Sequence, residues 1–214
     1  YAALIEKQSD PGHPNAVKAE KIRALVDNGS QSIKQLLGFA RGGKYRPGPL
    51  NLNEVLRMNV DMFQRSRKDL DVITTFIPDI WNVYADRSQM EHVLMNLLLN
   101  ASESTPENGR IKIETNNIVL EKKRVRINKI VSGRFVHFSV KDDGTGIEKE
   151  HIQRVFDPFF TTKPMSAGTG LGLASVYGIV DNHDGFTTVE STIGKGAVFN
   201  VFLPAMEKET EKND

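Results

Sequence analysis

Lys141-Asp142-Asp143-Gly144-Thr145-Gly146-Ile147, followed after an intervening segment by Gly168-Thr169-Gly170-Leu171-Gly172-Leu173, is the stretch on which the reading of this 214-residue chain turns. The apolar run before Lys141 is strand-like and delivers an acidic, glycine-broken turn, and the second cluster opens an apolar pattern at helical spacing. Glycines let backbone approach a ligand closely, and N–H groups at a helix start, reinforced by the helix dipole, favour phosphate. Each cluster alone is also what an ordinary Asp-Gly turn or helix start looks like. The pair together points to a nucleotide site.

Working outward, the residues upstream of the first turn read as three strand-like segments: 110–115, a basic stretch over 122–129 and 134–140. The basic stretch, with Lys122, Lys123, Arg124, Arg126 and Lys129, reads either as a solvated hairpin arm or as a partner-binding patch. Before these lies a helix over about 87–104, with Asp86 and Gln89 at its start and Met90, Val93, Leu94, Leu97, Leu98 and Ala101 as its apolar face. Asn96 and Asn100 are four apart, so both amides project from one side of it. Earlier still, Asn51 with Glu54 resembles a capping box opening a helix to about Arg65, with Val55, Leu56, Met58, Val60, Met62 and Phe63 available for burial. Runs 72–77 and 81–84, joined through Pro78-Asp79, predict a hairpin.

Residues 16–41 place the apolar or small residues Ile22, Leu25, Val26, Gly29, Ile33, Leu36, Leu37 and Ala40 at three- and four-residue steps, a stripe that wants a partner helix. Arg46-Pro47-Gly48-Pro49 reads as a linker, with the boundary near residue 48. Downstream of the first turn come a short helical piece near 148–155, the Phe156-to-Lys163 segment and Pro164 to Gly168, which suggest a loop folding over something. A helix over 171–182 and strands 187–190 and 197–203 follow, and the Glu/Lys-rich end reads as frayed. Helices and strands fall in blocks, so the expected fold class is α+β: a two-layer α/β sandwich with helices on one face of a mixed sheet and an N-terminal helical appendage.

Composition bounds the function. Twenty-eight basic and 27 acidic residues leave a net charge of +1, so no global field draws the chain to nucleic acid or anionic lipid, and any anion site is local. Apolar runs are too short to span a bilayer. The absence of cysteine removes disulfides and thiolate metal sites and agrees with a reducing compartment. The start at Tyr1 reads as an excerpt from a longer protein.

Four ordered motifs now carry a family resemblance over about residues 50–204. QMEHVLMNLLLNA (89–101) is similar to an asparagine box, DDGTGI to a first glycine box, FDPFFTTK to a phenylalanine box and GTGLGLA to a second glycine box. Together they resemble the ATP-binding catalytic domain of sensor histidine kinases, within the superfamily of DNA gyrase, heat-shock chaperone and mismatch-repair ATPases. The resemblance implies a Bergerat-type ATP-binding fold over 49–205. It also implies a partial dimerisation and phosphoacceptor hairpin over 1–48 and a flexible tail over 206–214.

It further implies roles for single residues. Asn100 and Asn96 would offer amide oxygens to Mg²⁺, which takes oxygen ligands. Asp142 would accept from the adenine amino group, with Gly144, Gly146 and Ile147 shaping the base site. Thr162, Lys163, Gly168, Thr169, Gly170, Leu171 and Gly172 would serve the phosphates and the lid. In the ATPase relatives the position of Asn96 is a water-activating glutamate, and asparagine cannot act as a base, which favours transfer over hydrolysis. Phe156, Phe159 and Phe160 are open between packing of the lid hinge and contact with the hairpin.

No phosphoacceptor is expected within the chain. His13 lies in a Pro-Gly loop, His92 on the asparagine-box helix, His137 in a strand, and His151 and His183 at helix ends. Only His183 precedes an acid, and that pair runs into a turn. The expected activity is histidine protein kinase chemistry with Mg-ATP, passing phosphate onward to a response regulator receiver domain. The expected location is cytoplasmic, with membrane anchoring of the parent left open, and the full-length protein would be a homodimer through the hairpin, with no nucleic-acid or membrane contact by this part. The competing readings are a hydrolysing ATPase of the superfamily and a non-catalytic nucleotide-sensing scaffold.

Overall fold

Asp86 and the apolar stripe behind it start the central helix. In the computed structural model, which describes residues 5, 13–15, 17–20, 22, 45–126, 129–163 and 168–206, that helix is α2 of the order β1 (Gly48–Leu50), α1 (Leu52–Ser66), β2 (Asp71–Phe76), β3 (Val83–Ala85), α2 (Arg87–Ser104), β4 (Arg110–Arg126), β5 (Lys129–Asp142), α3 (Lys149–Ile152), α4 (Gly172–Asn182), β6 (Phe186–Ser191) and β7 (Ala197–Pro204). Asp86 caps α2 by accepting the Gln89 N–H, and Thr105 closes it through its N–H to the Ala101 carbonyl. Met90, Val93, Leu94, Leu97, Leu98 and Ala101 are all buried as the periodicity predicts. Each of these side chains except that of Ala101 contributes about 1.5–3 kcal/mol on leaving water, so tertiary burial rather than helix propensity fixes α2.

Five strands form one sheet in the order β2-β4-β5-β7-β6, with β2 and β4 parallel and the other pairs antiparallel. The register places Ile113 opposite Val140, Val140 opposite Phe199 and Phe199 opposite Val189. With α1, α2 and α4 these residues make one core on one face of the sheet, the expected two-layer sandwich. On the opposite face Phe186 and Phe202 stack at 4.3 Å, with Phe135 edge-on to Phe186 at 5.7 Å. No helix among the described residues is long and apolar enough to cross a membrane.

Several local expectations are corrected. Runs 72–77 and 81–84 do not form a hairpin: β2 pairs with β4 across the α2 crossover, and β3 pairs antiparallel with β1 in a separate two-stranded sheet. The Pro78-Asp79 turn is held instead by side chains of β4. Ile77 N–H donates to Thr115 Oγ1 (3.2 Å), Trp81 N–H to Asn117 Oδ1 (3.0 Å), and Asn117 Nδ2 to the Asp79 carbonyl (2.8 Å). The linker expected over 46–49 is partly strand, since Gly48 and Pro49 belong to β1. Asn51 caps α1 on the Asn53 N–H (3.0 Å) rather than through the Glu54 box. Met58 and Met62 stay exposed because the buried stripe runs through Val55, Leu56, Val60 and Phe63.

The three strand-like segments over 110–140 are two long strands, β4 and β5, and the helical piece near 148–155 is the single turn of α3. Of the helix expected over 16–41, residues 17–20 and 22 are helical, and the remainder lies outside the described residues, as do 164–167 of the expected lid and the tail from 207.

Candidate nucleotide site

Asp142 ends β5 opposite Ile111 and is only 2% exposed. Its Oδ1 accepts the N–H groups of Gly144 (2.9 Å) and Ala197 (3.3 Å). Its Oδ2 is buried with no hydrogen-bond partner. Burial pushes the carboxyl above its ordinary range, against the lowering effect of the Gly144 and Ala197 N–H groups. A buried acceptor left unpaired in a protein costs about 1–3 kcal/mol. Oδ2 is thus free to accept one hydrogen bond.

The surrounding backbone leaves no room for side chains. Gly146 has φ +75°, and a Cβ there would meet the Thr192 carbonyl oxygen at 2.2 Å; a Cβ on Gly144 would meet the Ser104 carbonyl oxygen at 2.4 Å. Thr145 donates its N–H to the Ser104 carbonyl (3.2 Å), and Gly194 donates to the Thr145 carbonyl (2.8 Å). The first glycine turn is thus clamped between the end of α2 and the β6–β7 turn. Half-buried Ile147 donates its N–H to Ser191 Oγ (2.8 Å).

At the other end, α4 starts at Gly172 with no side-chain cap from Leu171. First-turn N–H groups of a helix lack intrahelical acceptors and face outward with the positive end of the dipole. A Cβ on Gly172 would lie 3.3 Å from Asn96 Oδ1, so Asn96 stands beside this first turn. Asn96 Nδ2 is buried without a partner. Asn100 is half-buried one turn on. Gly170 has φ +65°, its carbonyl accepts the Phe159 N–H (2.9 Å), and a Cβ there would lie 2.4 Å from the Phe159 carbonyl carbon.

Lys163, expected at the phosphates, instead donates to Glu103 Oε2 on α2. Its N–H bonds Thr161 Oγ1 (3.1 Å), Thr162 is exposed, and the Gly168 Cα faces Thr161 and Lys163. Thr169 Oγ1 accepts the Leu171 N–H (3.4 Å), and Leu171 is buried. The aromatics divide: Phe156 packs on Tyr177 and Phe199, Phe160 lies under Arg154 at 4.6 Å, and Phe159, with φ +67°, is 64% exposed.

Together these contacts place the two glycine turns along one helix. Ser104 meets the first turn and Asn96 the second, eight residues apart, about 12 Å along the axis. A buried acceptor at one end, amides in the middle and a helix start at the other suit a nucleotide lying along α2.

Residues 85–207 match the family described as histidine kinase-, DNA gyrase B-, and HSP90-like ATPase, over half of the chain. The chain belongs to this ATPase family. Within it the chain sits with the sensor histidine kinases. It is 35% identical over 210 residues to the sensor kinase CckA of Brucella abortus, spanning 97% of this chain and 22% of that protein. It is 30% identical over 207 residues to the signal transduction histidine-protein kinase AtoS of Escherichia coli, spanning 95% of this chain and 31% of that protein. The chain thus spans well under half the length of these relatives.

Among solved structures, the catalytic domain of histidine kinase ThkA in a nucleotide-free form is 33% identical, with a TM-score of 0.60, and the match spans 75% of this chain and 96% of that one. ThkA in complex with response regulator protein TrrA is 26% identical, with a TM-score of 0.69, and the match spans 95% of this chain and 55% of that one.

Four residues near the site carry little or no mark in the sequence: Gly196, Ala197, Glu103 and His183. Gly196, with φ +78°, and Ala197 close on Asp142; a Gly-x-Gly pattern at 194–196 is the only local sign of that turn. Glu103, three residues after Asn100 and hence on its helix face, competes for Lys163. His183 is buried, with Nε2 accepting the Asp86 N–H (3.1 Å) and Nδ1 on the Ile179 carbonyl (2.8 Å). Of the other histidines, His92 is half-buried on α2 and held below its ordinary range by burial. His137 stacks on Phe202 at 4.6 Å, His151 lies 3.7 Å from Glu148, and His13 Nδ1 accepts the Asn15 N–H (3.1 Å).

Proposed function

We propose that this chain is the ATP-binding catalytic part of a sensor histidine kinase. It positions Mg-ATP for γ-phosphoryl transfer to a histidine on a hairpin helix, for onward passage to a response regulator. The unpaired Oδ2 of Asp142 carries the reading. An ionised carboxylate only accepts, so it suits the exocyclic amino group of adenine and opposes the carbonyl of guanine. Asn96 and Asn100 are the amides that would hold Mg²⁺, their neutral oxygens fitting a hard cation that draws most of its charge balance from phosphate. When bound, the ion would neutralise charge developing on the transferred group.

The chain's own residues bind and orient. Asp142 fixes the base, the α4 first turn faces the phosphates, and Lys163 exchanges Glu103 for a phosphate oxygen. The imidazole nitrogen of the acceptor attacks phosphorus as the bond to the β-phosphate oxygen breaks and ADP leaves. Asn96 supplies no base for water, which favours transfer over hydrolysis. Partner choice follows the relatives, one of which was solved with a response regulator.

The test is labelled γ-phosphate supplied with Mg²⁺ to a longer protein carrying the hairpin. Label should appear on histidine and then on a regulator aspartate. Phosphate release at a comparable rate without histidine labelling would overturn transfer in favour of hydrolysis.

A further inference from the structure

Asp86 joins the incoming linker to both helices of the nucleotide site, its carboxylate meeting the linker and α2 and its backbone N–H meeting α4. Arg46 donates its N–H to Asp86 Oδ2 (2.8 Å). Asp86 Oδ1 accepts from Ser88 Oγ (2.6 Å) and from the Gln89 N–H (3.1 Å), capping α2. The Asp86 N–H donates to His183 Nε2 (3.1 Å). That bond fixes the ring's tautomer, so Nδ1–H donates to the Ile179 carbonyl (2.8 Å). The ring of Tyr45 meets His183 at 5.6 Å in an edge arrangement. Asp86 and His183 are each 6% exposed. Just beyond Arg46, β1 pairs with β3, whose last residue precedes Asp86.

Asp86 heads the helix of Asn96 and Asn100, and His183 closes the helix that begins at Gly172. The two helices run antiparallel, touching at Asp86 with His183 at one end and at Asn96 with Gly172 at the other. Gly172 and His183 are eleven residues apart, about 16 Å. A tilt of a few degrees at the joint therefore moves the α4 first turn by about 1 Å against Asn96, enough to matter to a bound phosphate.

We propose that the Asp86–His183 pair is a positioning joint through which the segment entering at residues 45–50 sets the placement of α2 against α4, and thereby the affinity of the site between them. The inference rests on the adenine-nucleotide reading of that site. Plain capping by the same residues would change stability and leave affinity alone, so the two roles separate experimentally.

The assay is calorimetric titration of the 214-residue chain with Mg-ADP, alongside thermal unfolding. Asp86→Asn keeps an oxygen for the Gln89 N–H but sets its amide against the Arg46 N–H. Arg46→Pro removes that N–H and leaves Asp86 intact, and His183→Phe removes both ring bonds. Each should weaken binding at least about fivefold at temperatures where the chain is folded. Combining Asp86→Asn with His183→Phe should lose little more than the worse single variant. His183→Gln, whose amide can accept from Asp86 and donate to Ile179, should recover most of the loss. Wild-type affinity in folded His183→Phe, or in both folded Asp86→Asn and folded Arg46→Pro, overturns the joint alone. A wild-type chain that binds no adenine nucleotide overturns the site reading and the joint with it.

Discussion

Replacing Asp142 by asparagine isolates the base-recognition step. In the wild type Oδ1 is committed to the Gly144 and Ala197 N–H groups, which leaves Oδ2 for an incoming donor. An asparagine must keep its oxygen on those two N–H groups, so its Nδ2 takes the place of Oδ2 and meets the adenine amino group donor to donor. A hydrogen bond to a charged group is worth about 1.5–3 kcal/mol, so ATP affinity should fall roughly 10- to 100-fold. Guanine presents a carbonyl at the corresponding place, so the preference for ATP over GTP should narrow in the same variant.

Stability should move the other way or not at all, because the substitution removes a charge that burial disfavours. Competition titration with ATP and GTP, with thermal unfolding on the same samples, reads all three effects. Unchanged ATP affinity in a folded Asp142→Asn chain would refute the reasoning. So would an affinity loss that merely tracks a loss of stability.

Other consequences are as concrete. The Asp142 carboxyl is raised, so without nucleotide the folded chain holds more protons than the unfolded one between the ordinary and the raised value, and stability should fall as pH rises through that window. Saturating ADP should flatten the slope, as urea titrations across pH will show. Asn100→Ala should leave nucleotide binding in chelator nearly unchanged and abolish most of the gain on adding Mg²⁺, measured by titration with and without the ion. Gly170→Ala, forced to φ +65° against Phe159, should cost about 1–3 kcal/mol of stability. Gly172→Ala should keep the melting temperature while weakening nucleotide binding through contact with Asn96. Glu103→Gln should free Lys163 and tighten ATP binding by up to about fivefold at low salt, the exposed pair being worth at most about 1 kcal/mol.

The legible parts of the sequence were those whose physics is local. The stripe from Met90 to Ala101 fixes α2 because burial every three or four residues needs no distant information. Asp86 and Asp142 announce themselves by preceding a helix and a glycine turn. Pairing across the chain is not local. Nothing in Val72 to Ile77 states that its partner is Arg110 to Thr115 rather than Trp81 to Tyr84, since the turn residues at Pro78-Asp79 suit a hairpin equally well. Lys163 shows the same limit at the site. Its charge was readable, but its present partner, Glu103, depends on how the loop meets α2. Asp142 shows the gain from coordinates: the sequence marks the carboxylate, and only the fold reveals that one oxygen is spent and the other is open.

The parallel pairing of β2 with β4 also bears on how the chain reaches this structure. Asp71 finds Arg110, 39 positions along the chain, only after the segment between them, α2 included, has been enclosed, whereas β4 and β5 are adjacent in sequence and close on each other early. The sheet's edge strand should therefore dock late, against β4 and beneath α1, once the α2 crossover is in place. The β2 amides should exchange with solvent in the same cooperative unit as those of the asparagine-bearing helix, so nucleotide bound beside that helix would slow exchange in a strand it never touches.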